Sequence, residues 1–391
     1  MKILSLIALL AYMLNAEVTT LVTPSTITVN RILAKTLAFE RDSKAWISAN
    51  QQSLILYPHD LTKSHETRKQ LQLQSLMDKR QMQFKIIWQD DSEDTSVKRP
   101  FSGDGIIVSF FNTIEPEISH INLGRKNAPI LAIRTRKVHK LINAADAQKD
   151  NSTSQENLFG HLITEEASHK KEVLASDAFW ATGISKEGVL NVKKTALVYQ
   201  NSLTYDAEKK EYTYLLSLPI KGKKYDLSLN ASINIKIKYA DESAHFIAPW
   251  QLILLAKNKP DFTYIKEFSR SYLSADLQNG QILANRLCAS CHIELLNSEI
   301  ASQDAPNILN TLRYTHILNI KDAITNPNKT LSQTIDLFDL NLFNVTNIAQ
   351  QNTSWYELND DKIGSIMPTF DNLEEKELYD LLGYLRSFQN K

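Results

Sequence analysis

The chain's only two cysteines, Cys288 and Cys291, stand three residues apart with His292 directly behind the second, in the stretch CASCH at 288–292. A pair at this spacing can reach the two vinyl groups along one edge of a haem and form thioethers with them. The imidazole that follows then lies under the ring, where its nitrogen can ligate iron. Two other chemistries use the same spacing: a thioredoxin-like redox pair, which requires a βαβ context, and a zinc half-site, which requires two more ligands. A six-coordinate haem needs an opposite donor, and Met367, in GSIMPTF at 364–370, is the only methionine after His292. The alternatives are an ordinary core methionine at that position and His316, in RYTHIL at 313–318, as the rival donor.

The elements that must position these side chains are helical. Residues 276–290 read as a helix that CASCH closes, and Leu378, Leu381, Leu382, Leu385 and Phe388 recur at helical spacing after a capping-box start at Asn372–Glu375. The larger part of the chain, from about Thr26 to Ala256, follows period two instead. Met82, Phe84, Ile86 and Trp88 alternate with polar neighbours, Leu71 and Leu73 alternate with glutamines just before, and Asp78-Lys79-Arg80 reads as the hairpin turn between them. Strand signals continue at 105–111, 129–133, 195–199 and 211–216, and Ile233, Ile235, Ile237 and Tyr239 alternate with Asn234, Lys236 and Lys238. Short strands with polar connections, such as the polar stretch 143–157, predict an antiparallel sandwich or barrel. The fold expected is therefore multidomain, mostly β and then all-α.

Composition agrees with a folded protein: 43% hydrophobic, 23% charged, and 44 basic against 44 acidic side chains. A net charge of zero without long basic runs argues against nucleic acid as a partner. Residues 1–16, MKILSLIALLAYMLNA, carry Lys2, an apolar run from Ile3 to Leu14 and then Ala16. That run is too short to span a bilayer and has the layout of a secretory signal cleaved near Ala16. No later stretch reaches about 18 apolar residues, so the mature chain is expected to be periplasmic, without a transmembrane segment. The expected organisation is a signal at 1–16, a β-sandwich at 17–257, a connector at 258–274 and a helical domain at 275–391.

Over residues 274–391 the chain resembles a class I cytochrome c. The matching pieces are NGQILANRLC at 279–288 for the family's first helix, Ala305-Pro306-Asn307 for the loop below the haem, and 363–370 for the methionine loop. The resemblance implies that Cys288 and Cys291 hold haem c, that His292 and Met367 ligate its iron, and that the Pro306 carbonyl orients the other ring nitrogen of His292. Coordination by His and Met raises the potential and closes the iron to substrates, so such a site carries electrons.

Residues 24–256 resemble the haem-b-binding subunit of ethylbenzene dehydrogenase and of the related dimethyl sulfide dehydrogenase, selenate reductase and chlorate reductase. The order of the pieces carries this likeness: DSKAW at 42–46, FKIIWQD at 84–90, DGIIV at 104–108, Leu123-Gly124 before Ala128-Pro129-Ile130, and HFIAPW at 245–250. In that family a β-sandwich holds one noncovalent haem between a methionine and a lysine. This chain departs at both places, with Leu123 for the methionine and His245 for the lysine. Leucine cannot ligate iron, whereas His120 nearby could form a bis-histidine haem b with His245. The alternative is a pair of ordinary histidines and an empty sandwich. The resemblance further implies a molybdenum-containing oxidoreductase with an iron–sulfur subunit as partner, alongside other cytochromes.

Other candidates converge on nothing. His59 and His65 read as loop residues, and His139, among Arg136, Lys137 and Lys140, as a solvated face. Lys170-Lys171 and 221–224 read as short basic turns, and no phosphate loop or GxSxG is present. The function expected is an exported electron carrier with one haem c and one haem b. Its rivals are a haem enzyme with an open iron site in the sandwich, and a ligand-sensing sandwich with a single-haem cytochrome.

Overall fold

The computed structural model describes residues 25–31, 38–58, 68–94, 103–112, 124, 129–143, 168–184, 190–228, 231–239, 244–248, 251–255, 274–292, 295, 308–309, 312, 317–327, 356–359, 362–365 and 367–387. The protein is mostly β, built around a large antiparallel, sandwich-like sheet, with few helices, all of them of any length toward the C-terminus.

The alternation seen in the sequence decides which side of each strand is buried. Strand β4 (Gln81–Gln89) turns Met82, Phe84, Ile86 and Trp88 inward, and all four are buried. It pairs with β3 (Lys69–Met77), which buries Leu71 and Leu73 on the same side. Asp78 makes the turn between them: its Oδ1 accepts from the backbone N–H groups of Arg80 at 2.6 Å and Gln81 at 2.7 Å. On the other side of β4 lie β10 (Glu211–Pro219) and then β9 (Gln200–Asp206). A second layer runs through β8 (Leu190–Lys194), β7 (Ser168–Ile184), β6 (Ile130–Asn143), β5 (Gly105–Asn112) and β13 (Ala231–Tyr239), and β14 (Ala244–Ile247) and β2 (Gln51–Pro58) join it to the first. Phe84 of one layer meets Phe110 of the other with ring centroids 5.5 Å apart, inside one apolar cluster fed by both. Burying each such side chain contributes about 2 kcal/mol.

Strand β1 (Ser25–Arg31) is parallel to both of its neighbours: residues 25–29 run beside β15 (Gln251–Leu255), and Asn30 and Arg31 beside Leu76 and Met77 of β3. Two more strands, β11 (Lys221–Gly222) and β12 (Tyr225–Asp226), form a small hairpin, within which Lys221 pairs with Asp226 at 2.7 Å.

Two expectations change here. Residues 195–199 are not a strand: they lead from β8 to β9, at opposite ends of the strand order, with Thr195 N–H donating to the Ala178 carbonyl of β7 at 3.1 Å as the chain leaves that edge, while Leu197 and Tyr199 pack on the core. Lys170 and Lys171 lie inside β7, opposite Leu141 and Lys140, and not in a turn. The polar side of β13 is as buried as its apolar side, with Lys236 and Lys238 each 3% exposed.

The C-terminal part holds α1 (Leu277–Leu287), α2 (Ile317–Thr325) and α3 (Glu375–Arg386). Asp276 caps α1, its Oδ1 accepting from Gln278 at 3.0 Å and Asn279 at 3.1 Å. Helix α3 starts later than the expected Asn372 box, because the Glu377 carboxylate reaches back to the N–H of Glu374 at 3.2 Å. This part is not all-α: β16 (Tyr356–Asn359) and β17 (Lys362–Ser365) pair antiparallel, with Asn359 opposite Lys362. Leu283 and Ala284 of α1, Ile320 and Ile324 of α2, and Leu378, Leu381, Leu382 and Leu385 of α3 share one buried cluster. The helical stripe from Leu378 to Leu385 is thus as expected; Phe388, like the 258–273 stretch of the connector, lies outside the described residues.

Candidate functional site

CASCH closes α1 as the sequence suggested, and the backbone turns tightly enough to sort its side chains. The Cys288 carbonyl accepts from both Cys291 N–H at 3.1 Å and His292 N–H at 2.8 Å, and the His292 carbonyl accepts from Leu295 N–H at 3.0 Å. This turn tucks Cys288 and His292 inward and leaves Ser290 and Cys291 exposed. Both cysteines are free thiols. Burial, with Cys291 beside it, pushes the Cys288 thiol up to about 11. A redox cysteine of the thioredoxin kind needs the opposite shift, toward thiolate, so this environment disfavours that chemistry. Among the described residues no three His, Cys, Asp or Glu side chains cluster in a way that could hold a metal ion, so the zinc half-site finds no second half there.

Met367 follows the β16–β17 hairpin and is half-buried against the same apolar cluster that contains Cys288. The loop is anchored by Phe370, whose N–H donates to the Ile324 carbonyl at the end of α2 at 3.0 Å. One core therefore brings together the turn that carries the thiols and the loop that carries the thioether. Pro306, His316, His120, Leu123, His59 and His65 lie outside the described residues, as does the side chain of His139.

Sequence reasoning missed the group that locks this arrangement. Asp380, on α3 and 1% exposed at its side chain, accepts from Asp276 N–H at 2.7 Å and Asn279 Nδ2 at 2.8 Å, so that it ties the first turn of α1 to α3. Lys376 Nζ donates to it at 3.0 Å. A lone carboxylate beside the buried leucine stripe was the available signal, since a buried acid needs donors.

In the layered part, His245 sits on β14 opposite Lys238, and its neighbour Phe246 sits opposite Ile237. Phe246 and Ile237 belong to the interior cluster, and Phe246 meets Tyr239 edge-on at 5.4 Å. Side chains alternate along a strand, so His245, which is half-buried, faces away from that interior together with Lys238. On the same face Arg134 pairs with Asp177 through two bonds, Nε to Oδ1 at 3.0 Å and Nη2 to Oδ2 at 2.7 Å. The segment that carries His120 leaves β5 at Asn112, opposite Ala231, whereas Lys238 and His245 align with Gly105 at the other end. Seven residues of strand separate those ends by about 23 Å, a span that eight extended residues can cover.

Between the layers lies a polar bridge. Asn201 Nδ2 donates to Thr135 Oγ1 at 2.6 Å and to Ser176 Oγ at 2.8 Å, and the hydroxyls of Tyr214 and Tyr199 complete it at 3.1 and 2.8 Å. Burial holds the Tyr214 hydroxyl protonated, well above its ordinary value. A second group, Trp88, Tyr212 and Tyr205, forms a row of rings in contact across β4, β10 and β9, the first pair stacked and the second tilted.

The chain matches no protein-family model and no curated protein. Among solved structures it is similar to a family 9 carbohydrate-binding module from Caldicellulosiruptor kristjanssonii in complex with glucose, at 8% identity and a TM-score of 0.32 over 61% of this chain and 100% of that one. The module from that organism in complex with cellotriose gives 9% and 0.33 over 60% and 95%. A proposed carbohydrate-binding protein from Bacteroides uniformis gives 8% and 0.32 over 61% and 94%. At such TM-scores the likeness carries no inference for this chain, and its function has to be argued from its own residues.

Proposed function

We propose that the chain is an exported electron-transfer cytochrome, in which a β-sandwich of the haem-b-subunit type precedes a cytochrome c domain that binds one covalent haem. The observation that carries this reading is the shared core at the C-terminus: CASCH presents one buried thiol, one exposed thiol and a buried imidazole, and Met367 packs on the cluster that holds Cys288. Two thiols able to form thioethers and two neutral donors of the kind iron accepts make a donor set that fits haem c. Bound there, the group supplies a one-electron iron couple. Cys288 and Cys291 would tether it, His292 and Met367 would ligate its iron, and Pro306 would hold the imidazole tautomer. The apolar cluster around Cys288 keeps water from the buried side, which favours the less charged, reduced state.

For the layered part, the order of the motifs from DSKAW to HFIAPW supports a second, noncovalent haem b with His245 and His120 as its ligands. Since His245 faces away from the packed interior, that haem would lie against the outer side of its layer. The partners of this reading are a molybdenum-containing oxidoreductase with an iron–sulfur subunit, and other cytochromes. The site of action is the periplasm.

A pyridine haemochrome assay before and after acid-acetone extraction tests both haems, using full-length protein exported by a host that matures c-type cytochromes. The expected result is one equivalent resistant to extraction, one extractable equivalent, and a porphyrin adduct on the 288–292 peptide by mass spectrometry. A mature chain with no adduct at these cysteines overturns the reading; haem c without extractable haem overturns only its second part.

A further inference from the structure

Three rings from three adjacent strands lie in register. Tyr212 of β10 is the pairing partner of both Trp88 on β4 and Tyr205 on β9. The Trp88 and Tyr212 rings stack with centroids 5.0 Å apart and 20° between their planes, and Tyr205 meets Tyr212 at 4.8 Å and 48°. These are contact distances for aromatic pairs. Trp88 and Tyr212 are fully buried, whereas Tyr205 is only partly so.

The polar atoms of the three rings have different partners. The Tyr212 hydroxyl donates to Asp104 Oδ2 at 2.7 Å, and that carboxylate, fully buried, also accepts from Asp94 N–H at 2.6 Å. Among the described residues, Tyr205 donates to a backbone carbonyl, that of Asp90, at 3.1 Å. The Trp88 indole N–H has no hydrogen-bond partner among the described residues. Among the described residues, Asp104 is thus the only carboxylate hydrogen-bonded to any of the three rings.

We infer that Tyr212 is a redox-active residue, able to give up one electron while its phenolic proton moves to Asp104, with Tyr205 as the ring through which the electron reaches the surface. A phenol that has lost an electron is a far stronger acid than the parent phenol, so the radical persists only where a base can take its proton. A carboxylate is such a base; a carbonyl oxygen and an empty neighbourhood are not. An electron vacancy created on Tyr205 or Trp88 therefore comes to rest on Tyr212. In the step, the Oη–H bond of Tyr212 breaks, an O–H bond forms at Asp104 Oδ2, and the electron passes through Tyr205 to a one-electron, outer-sphere metal-complex oxidant, which is reduced. Burial and the Asp104 charge hold the hydroxyl protonated until that moment, so proton and electron leave together. The inference goes beyond the proposed haem sites and does not depend on either of them.

The test is flash photolysis of the full chain with tris(bipyridyl)ruthenium and persulfate, followed by electron paramagnetic resonance. The expected result is a long-lived tyrosyl radical that is absent from Tyr212→Phe and forms more slowly in Tyr205→Phe. In Asp104→Asn, which keeps an acceptor oxygen but removes the base, its formation should slow by about a hundredfold, the scale of a positioned proton acceptor. The same long-lived signal in Tyr212→Phe, or wild-type kinetics in Asp104→Asn, overturns the inference. Should Asp104→Asn not fold, the wild-type chain in heavy water decides: slower formation supports the coupled step, and an unchanged rate overturns it.

Discussion

Gly280 in α1 lies so close to Asp380 in α3 that a methyl group in its place would sit 2.0 Å from the Asp380 carbonyl oxygen and 2.8 Å from Tyr384 Cβ. The two helices that frame CASCH and follow the Met367 loop are therefore joined backbone to backbone, and only a residue without a side chain allows it.

Gly280→Ala is expected to force the helices apart and destabilise the helical part by about 1–3 kcal/mol, the usual cost of overpacking. Urea unfolding followed by circular dichroism checks this, and an unchanged midpoint would show that the close approach is not made.

Asp380 makes the stability of the same helix pair depend on acid. Burial pushes its carboxyl up, but the donors from Asn279, the Asp276 backbone and Lys376 together outweigh burial and hold it below the ordinary range. With the folded value depressed, the contribution is fully present above the ordinary carboxylate value, about 4, and is lost as pH falls through the folded value. Asp380→Asn is expected to be less stable at neutral pH and to show a flatter acid profile, measured as melting temperature against pH.

In the layered part, Arg134→Met leaves the Asp177 carboxylate without its two-bond partner on a largely buried face. The expected cost is about 2–3 kcal/mol, with much of it recovered when Asp177→Leu is added. A double-mutant cycle by denaturant titration supplies the coupling, and additive losses would show that the pair contributes nothing.

On the proposed reading, the iron ligands separate by their spectra. Met367→Ala should retain the covalently attached porphyrin, because the tethers do not involve it, yet turn high-spin or bind a foreign ligand. His292→Ala should lose stable low-spin haem c. His245→Ala should alter only the extractable haem; a normal noncovalent spectrum in that variant excludes His245 as its ligand.

Much of this architecture can be read from local pattern. Met82 to Trp88 and Leu378 to Leu385 declare their buried sides by period alone, because one side of each element meets a core and the other does not. Where both sides are covered, the pattern says less: Lys236 and Lys238 alternate with the apolar set in sequence and are as buried as it is in the fold. The segment 195–199 has a strand's composition but lies where the chain changes layers. The turn at CASCH was legible because it closes a helix within five consecutive residues. The bond from Tyr212 to Asp104 was not, since 108 residues separate the partners and only the closing of two layers brings them together. Asp380, likewise, acts on a helix 101 residues away.

The first strand has a consequence for how the molecule is made. Because β1 runs beside β15, the earliest of the described strands to emerge from the ribosome waits for a strand more than two hundred residues later before its edge is satisfied. Until Leu255 has been synthesised, the flank of β3 that β1 covers has no lasting occupant, and such long-range pairing is slow and open to mispairing with other chains.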